Sequence, residues 1–291
     1  MSEPLFRFGL IADVQYGDKP DQGHLRYRAS LGKLERCVAD LARRRLDFVV
    51  QLGDVIDGRE TLGESGADLE RVLAPLEGLG VPLVHVVGNH CLAVPRAELL
   101  PRLGLERGYR SFVWSPWRFV VVDTVELALV GRDAGDPRAR EAERWLAGHP
   151  IETHPWANPW NGGLGEEQRA WLASQLEAAA AAGEHAVVLA HHPVDPDAAR
   201  PQYPAWDHRD VLAVLDRVPP PRAWICGHDH RGGFHERAGV RHWIVPALLA
   251  ADDESNAYAV VEAFADRLEV RGVGAVGDRT IPAGGASQRP H

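Results

Sequence analysis

Six short runs rich in Val, Ile and Phe recur along the chain: FRFGLIA (6–12), DFVVQL (47–52), PLVHVV (82–87), RFVVVD (118–123), HAVVLA (185–190) and RAWIC (222–226). Each has the length and side-chain type of a buried strand. Helical periodicities stand between several of them, at 30–45, 68–79, 166–183 and 210–217. Strands that alternate with helices are joined by crossovers, so they pair largely in parallel. From about Gly239 to Val276 the pattern changes. RHWIVPAL, AYAVVEAF and DRLEVRGV succeed one another without intervening helices, as antiparallel strands do. The expected fold class is therefore α/β with mixed sheets, two of them packed together.

The residues just after these runs carry the chemistry. Asp13-Val-Gln15 comes after the first, Gly53-Asp54-Val-Ile-Asp57-Gly58 after the second and Gly88-Asn89-His90 after the third. His191-His192-Pro193 comes after HAVVLA, and Gly227-His228-Asp229-His230 after RAWIC. In open α/β sheets, ligands gather beyond the carboxyl ends of the strands. Taken singly, each group has an ordinary explanation: a helix cap for Asp13 or Asp54, a turn for GNH. Taken together, in order and each after a strand, they converge on one edge with carboxylates, imidazoles and two side-chain amides. That mixture of oxygen and nitrogen donors suits divalent transition ions.

Composition narrows the partners. The 291 residues are 45% apolar and 25% charged, ordinary for a globular chain with a full core. No run approaches the length of a membrane span. The start, MSEPLFRFGLIADV, lacks the basic head and cleavage site of a signal peptide, and three scattered cysteines (Cys37, Cys91, Cys226) make no disulfide framework. Both point to the cytoplasm. A formal net charge of −9 argues against nucleic-acid binding through a basic face. An anionic substrate would need local attraction, which bound cations supply.

The ordered set Asp-x-Gln, Gly-Asp-x-x-Asp, Gly-Asn-His, a separate His and Gly-His-x-His resembles the pattern of the calcineurin-like metallophosphoesterases, from Asp13 to His230. Within them, ADVQYGD, QLGDVIDG, NGGLGEEQRAWL, GHDHRGG and DRLEVRGVGAVGDR are similar to the manganese-dependent ADP-ribose/CDP-alcohol diphosphatases. The resemblance implies a four-layer αββα sandwich with two divalent ions at one edge. Asp13, Gln15, Asp54 and His230 would hold one ion; Asp54, Asn89, His191 and His228 would hold the other. His191 is preferred to His192 because the family's ligand sits two residues before the proline. His192 is expected behind the ligands or in the substrate pocket. In such a pair, cations about 3.5–4 Å apart activate a bridging water and hold the phosphoryl group in line. His90 would act on the leaving oxygen and Asp57 would orient it, raising its pKa and fixing its tautomer.

Gln15 departs from the histidine usual in the wider family, and its neutral oxygen favours Mn²⁺ or Mg²⁺ over Zn²⁺. Mn²⁺ is the expected ion, with Fe, Mg²⁺ and Zn²⁺ as alternatives. Cys91 reads as a small buried hydrophobe. For the substrate, Arg28 could fork onto a distal phosphate, and Trp156, Trp160 and Asn161 could form a wall beside it. The stretch 125–163 reads as a long loop or insertion in one domain spanning 1–280, with 281–291 as a tail. The leading expectation is hydrolysis of the pyrophosphate bond in small ADP-ribose-like or CDP-alcohol compounds. A phosphodiesterase acting on cyclic nucleotides or glycerophosphodiesters, and a non-catalytic binding scaffold, stand as alternatives. Oligomeric state leaves no mark in the sequence.

Overall fold

The run FRFGLI turns Phe6, Phe8 and Leu10 to one face of a strand, and all three are buried between two sheets. Gly9, on the other face, gives room to Leu41 and Leu46, whose side-chain carbons would lie 3.1–3.2 Å from an added Cβ. The computed structural model of the protein describes residues 3–132, 135–252 and 255–284. In chain order its strands are β1 (Phe6–Ile11), β2 (Phe48–Gln51), β3 (Leu83–His85), β4 (Arg110–Trp114), β5 (Trp117–Val121) and β6 (His185–Leu189). Then come β7 (Ala223–Cys226), β8 (Gly233–Arg237), β9 (Val240–Ile244), β10 (Ala257–Ala263), β11 (Arg267–Gly274) and β12 (Arg279–Pro282). The helices are α1 (Ala29–Leu41), α2 (Leu62–Glu77), α3 (Arg96–Arg102), α4 (Pro137–Ala147), α5 (Gly165–Ala181) and α6 (His208–Leu215).

The strands form two six-stranded sheets, ordered β12-β11-β10-β1-β2-β3 and β4-β5-β6-β7-β9-β8. β1, β2 and β3 pair in parallel, as do β5, β6, β7 and β9. Between the sheets lie Phe6, Phe8, Phe48 and Val50 from the first and Trp117, Phe119, Val187 and Ile225 from the second. Phe8 and Phe48 stack at 4.9 Å, and Phe119 meets Phe8 edge-on at 5.5 Å. Leu34 and Cys37 of α1 and Leu69 and Val72 of α2 cover the outer face of the first sheet. Leu172 and Leu176 of α5 and Val211 and Leu215 of α6 cover the second. The order of layers is αββα, as the resemblance implied. Among the described residues, no helix is long and apolar enough to cross a membrane.

Three sequence expectations change. First, the tail does not form one antiparallel sheet. β10, β11 and β12 do pair antiparallel beside β1, but β9 joins the other sheet, parallel to β7 and antiparallel to β8. Second, the stretch 125–163 is not all loop. Asp136 caps α4 by accepting the Arg138 N–H at 2.8 Å, with Pro137 at the first helical position. Such a start is legible in sequence, but α4 buries only Ala139 and Ala142 among its residues, so the apolar stripe is faint. Third, α2 begins six residues ahead of its periodic pattern, because Thr61 and Glu64 form a capping box. At the end of the chain, β12 runs past residue 280, and Ile281 and Ala283 are buried. Of the expected tail, 285–291 lie outside the described residues.

Thr61 is exposed, so Thr61→Ala isolates this cap. It should lower stability by about 1 kcal/mol, read as a shifted urea midpoint with an unchanged slope. An unchanged midpoint would mean that α2 starts without help from the box.

Candidate metal centre

The carboxyl ends of β1, β2 and β3 meet those of β6 and β7 along one edge, and side chains bridge the sheets there. The His228 N–H, after β7, donates to both carboxylate oxygens of Asp13, after β1, at 3.1 Å. His191, after β6, donates from Nδ1 to the Leu52 carbonyl after β2 at 2.9 Å. That bond fixes its tautomer and leaves Nε2 to face the centre. Asn89 Oδ1 stands 3.0 Å from Nε2, Asp54 Oδ2 3.2 Å and His228 Nδ1 3.2 Å. His228 has its own orienting partner. Its Nε2 donates to Asn161 Oδ1 at 2.8 Å, so Nδ1 is the lone pair turned inward.

Acceptors thus face acceptors. Asp13, Asp54, Asn89, His191 and His228 are each at most 4% exposed. One ligand atom from each of Asp13, Asp54 and His191 falls within 4.8 Å of the others. Asp54 Oδ2 and Gln15 Oε1 are buried without a hydrogen-bond donor among the described residues. Gln15 turns its amide nitrogen to Asp57 Oδ1 at 2.5 Å, which directs the oxygen away. Two buried carboxylates and a set of unmet oxygens and ring nitrogens require positive charge between them. A divalent ion provides it, so this donor set fits a metal centre.

The backbone is bent to make the arrangement. Asp13, Gln15, Asp54 and His228 all have φ between 44° and 69°, a region that costs energy for residues with a Cβ. Close approach explains the glycines before two of the ligand loops. A Cβ on Gly88 would fall 2.2 Å from Asp54 Oδ1, and one on Gly227 would fall 2.4 Å from Asp13 Oδ2.

A cavity of about 420 Å³ opens onto the centre, lined among others by Gln15, Asp54, His228, His230, His90 and Trp160. His90 is 37% exposed at its side chain; its backbone N–H donates to Asp54 Oδ1 at 2.9 Å, and its Nδ1 donates to the Asp57 backbone carbonyl at 3.1 Å, with Asp57 Oδ1 3.2 Å away. The expected pairing of His90 with Asp57 is present, but the expected rise in pKa is not. Burial holds His90 below its ordinary 6.5, although the Asp54 carboxylate works the other way. Lys19, unmarked by the sequence pattern, occupies the second oxygen of Asp57 and lowers His90 further. A larger groove of about 790 Å³, lined by Arg7, Arg43, Arg44, Arg45 and Arg271 together with Glu3, Glu262 and Asp278, contains none of the residues expected to hold the ions.

The substrate candidates separate. Asn161 is fully buried; its amide nitrogen donates to the Trp156 and Gln202 carbonyls, so it holds His228 and does not face the cavity. His192 is buried with Nδ1 2.7 Å from Thr124 Oγ1 and its ring 3.9 Å from that of His228, and a ring nitrogen of each of His191, His192 and His228 falls within 4.8 Å of the others. Arg28 is tied to Asp18 at 2.7 Å beside a neighbouring cavity. Trp160 does border the metal cavity, and Tyr203 stands with it against His228, each ring 5.3 Å away. Trp156 instead packs on His208. Tyr203 lies in a stretch without periodicity, which is why sequence reasoning missed it. Asp229, the residue between the two histidines of GHDH, grips Arg200, which lies 4.2 Å over the Tyr203 ring. Cys91 is buried, accepts the Val55 N–H, and has its thiol pushed up to about 12 by burial, as a hydrophobe would.

A family model described as calcineurin-like phosphoesterase matches residues 6–232. The chain belongs to the calcineurin-like phosphoesterase family. Among relatives, a manganese-dependent ADP-ribose/CDP-alcohol diphosphatase of Danio rerio is 33% identical, over 97% of this chain and 99% of the relative. One of the same name from Oryza sativa subsp. japonica is 32% identical, over 91% of this chain and 90% of the relative. A solved structure of a dimetal phosphatase from Danio rerio superposes with a TM-score of 0.90 at 32% identity, covering 97% of this chain and all of that one. This calcineurin-like phosphoesterase therefore shares its whole architecture with a protein described as carrying two metals.

The electrostatics give a test. Among the protein groups alone, burial pushes Asp13 up to about 8 from the ordinary 3.8. Full burial opposes charging of His191, yet the Asp54 carboxylate raises it to about 9 from 6.5. Both values lie above the unfolded ones. The stability tied to the Asp13 proton is therefore lost between about pH 4 and pH 8, and that tied to the His191 proton between about pH 6.5 and pH 9. A bound cation replaces those protons. The gain in Tm of metal-stripped protein on adding a fixed excess of Mn²⁺ should grow from pH 6 to pH 9. A gain that is flat or shrinking with pH would mean that the cation does not take the place of these protons.

Proposed function

We propose that the protein is a dinuclear, manganese-dependent hydrolase of the pyrophosphate bond in small ADP-ribose-like or CDP-alcohol compounds. The observation that carries this is the buried meeting of acceptors from Asp13, Gln15, Asp54, Asn89, His191 and His228, with Gln15 Oε1 and Asp54 Oδ2 left without a hydrogen-bond partner among the described residues, beside an open cavity. The names of relatives that match nearly the whole chain support the substrate class.

Asp13, Gln15, Asp54 and His230 would hold one ion, and Asp54, Asn89, His191 and His228 the other, with Asp54 shared. Bound there, the ions would neutralise phosphoryl charge and lower the pKa of a water. Everything else falls to the chain. His90 borders the same cavity and is held at Nδ1 by Asp57; in its protonated form, which the negative charge of a bound phosphate would favour against the burial that lowers its pKa, it would donate from Nε2 to the departing phosphate or alcohol oxygen. Lys19 also borders the cavity, so its ammonium, now on Asp57, is within the same wall as a distal phosphate would be. Trp160 and Tyr203 offer ring faces on which a base could stack. The segment carrying Asn161 shields His228 from water on the side away from the cavity.

The test is turnover of wild type and His90→Ala on ADP-ribose, CDP-choline, cyclic AMP and bis-p-nitrophenyl phosphate, with bound metal measured alongside. Wild type should hydrolyse the first two in preference to cyclic AMP. His90→Ala should keep its metal and lose about a hundredfold or more on ADP-ribose, and less on the nitrophenyl ester, whose leaving group departs without a proton. Preference for cyclic AMP would replace the substrate reading with a phosphodiesterase. Equal losses on both leaving groups would remove His90 as the acid.

A further inference from the structure

Four residues beyond His191, the same loop carries a second meeting of donors. Asp195 is 1% exposed and faces two imidazoles of the β8–β9 hairpin. His235 on β8 and His242 on β9 are direct cross-strand partners, so their side chains stand next to each other on one face of the sheet. His235 Nδ1 lies 2.7 Å from Asp195 Oδ2, and His242 Nε2 lies 3.9 Å from the same oxygen. Asp197 joins Asp195 and His235 in a group whose ligand atoms all fall within 4.8 Å of one another. None of these four residues lines the cavity of the metal centre.

His242 is the anomaly. Its residue is 2% exposed, yet neither ring nitrogen has a hydrogen-bond partner among the described residues. A neutral imidazole carries one N–H and one lone pair, and burying both unmet is costly. Burial also pushes its pKa down to about 4, so the ring keeps its lone pair at neutral pH. The neighbouring cation does not resolve this. Arg237, on the same hairpin, is held by both oxygens of Asp216 at 3.0 and 3.1 Å. Asp195 Oδ1 accepts the Asp197 N–H at 3.1 Å, and its Oδ2 stands between the half-exposed His235 and the buried His242, which offers it no defined bond.

We propose that His235, His242, Asp195 and Asp197 form a further, mononuclear metal site that takes Zn²⁺. Two imidazole nitrogens with carboxylate oxygens are a donor set that zinc favours. Donors bound at about 2.0–2.1 Å to one tetrahedral ion stand about 3.3 Å apart, between the 2.7 and 3.9 Å found here. The site fastens the loop after His191 to a hairpin of the same sheet, and that is a structural role. It stands apart from the diphosphatase reading, because none of its ligands belongs to the dinuclear set.

The experiment is metal analysis of full-length protein, stripped and then equilibrated with Zn²⁺, for wild type, His235→Ala and His242→Gln. His235 has a 38% exposed side chain, so its replacement opens no core cavity. Wild type should retain one more equivalent of Zn²⁺ per chain than either variant, and Zn²⁺ should raise its Tm further. His235→Ala should keep its Mn²⁺-supported hydrolysis. Equal zinc content in wild type and His235→Ala would overturn the proposal, with an ordered water as the partner of His242. Loss of all metal in His235→Ala would overturn it too, because the cluster would then be acting through the loop and not as a site of its own.

Discussion

Two carboxylates, Asp13 and Asp54, are buried side by side with almost no exposed surface. Charge in such a place is tolerable only with a counter-charge, and among the protein groups the nearest remedy is a proton on Asp13 or His191. The rest of the architecture can be understood as the means of holding this unfavourable pair together. Two sheets are stacked so that their strand ends share one edge. Backbone at Asp13, Gln15, Asp54 and His228 is forced into the left-handed region. Hydrogen bonds from His228 and His191 tie one sheet to the other across the acceptors. Strain of this kind persists only when the surrounding structure over-determines it, and the aromatic layer of Phe8, Phe48 and Phe119 between the sheets supplies that rigidity.

The groups around the acceptors set orientation as much as charge. Leu52 and Asn161 each take an N–H from a histidine and thereby decide which ring nitrogen faces inward. Asp57 is shared by Gln15, His90 and Lys19: its carboxylate takes Gln15 and Lys19, and its backbone carbonyl, with the carboxylate close by, takes His90, so one residue positions a proposed ligand oxygen, a proposed acid and a cation at once. A change at Asp57 would therefore disturb metal geometry and proton transfer together, and the two effects would not add independently.

Much of this was legible in the sequence because the ligand loops come directly after short, strongly apolar strands, and a strand end is a fixed place in such a fold. The gathering of Asp13, Asp54, Asn89, His191 and His228 rests on that regularity, whereas the αββα order is what the family resemblance implies. Periodicity failed where burial is shallow. α4 hides little more than two alanines, so its segment looked like loop, and β9 could not be assigned to a sheet because strand pattern does not name a partner. Lys19 and Tyr203 reach the cavity from irregular segments, where no repeat marks which way a side chain faces. In Asn161, an amide beside two tryptophans suggested a wall for substrate, and only the folded chain brings it under His228.

Trp160 and Asn161 are adjacent in the chain, one bordering the cavity and the other bonded to His228. Pressure on the indole from a bulky guest would travel through a single peptide unit to the imidazole that faces the ions. If Trp160 meets the substrate as proposed, that wall and the reaction centre would be parts of one lever. An enzyme built this way would sort its substrates less by how tightly they bind than by how well each one, once seated, leaves the histidine in line. Selectivity would appear in kcat.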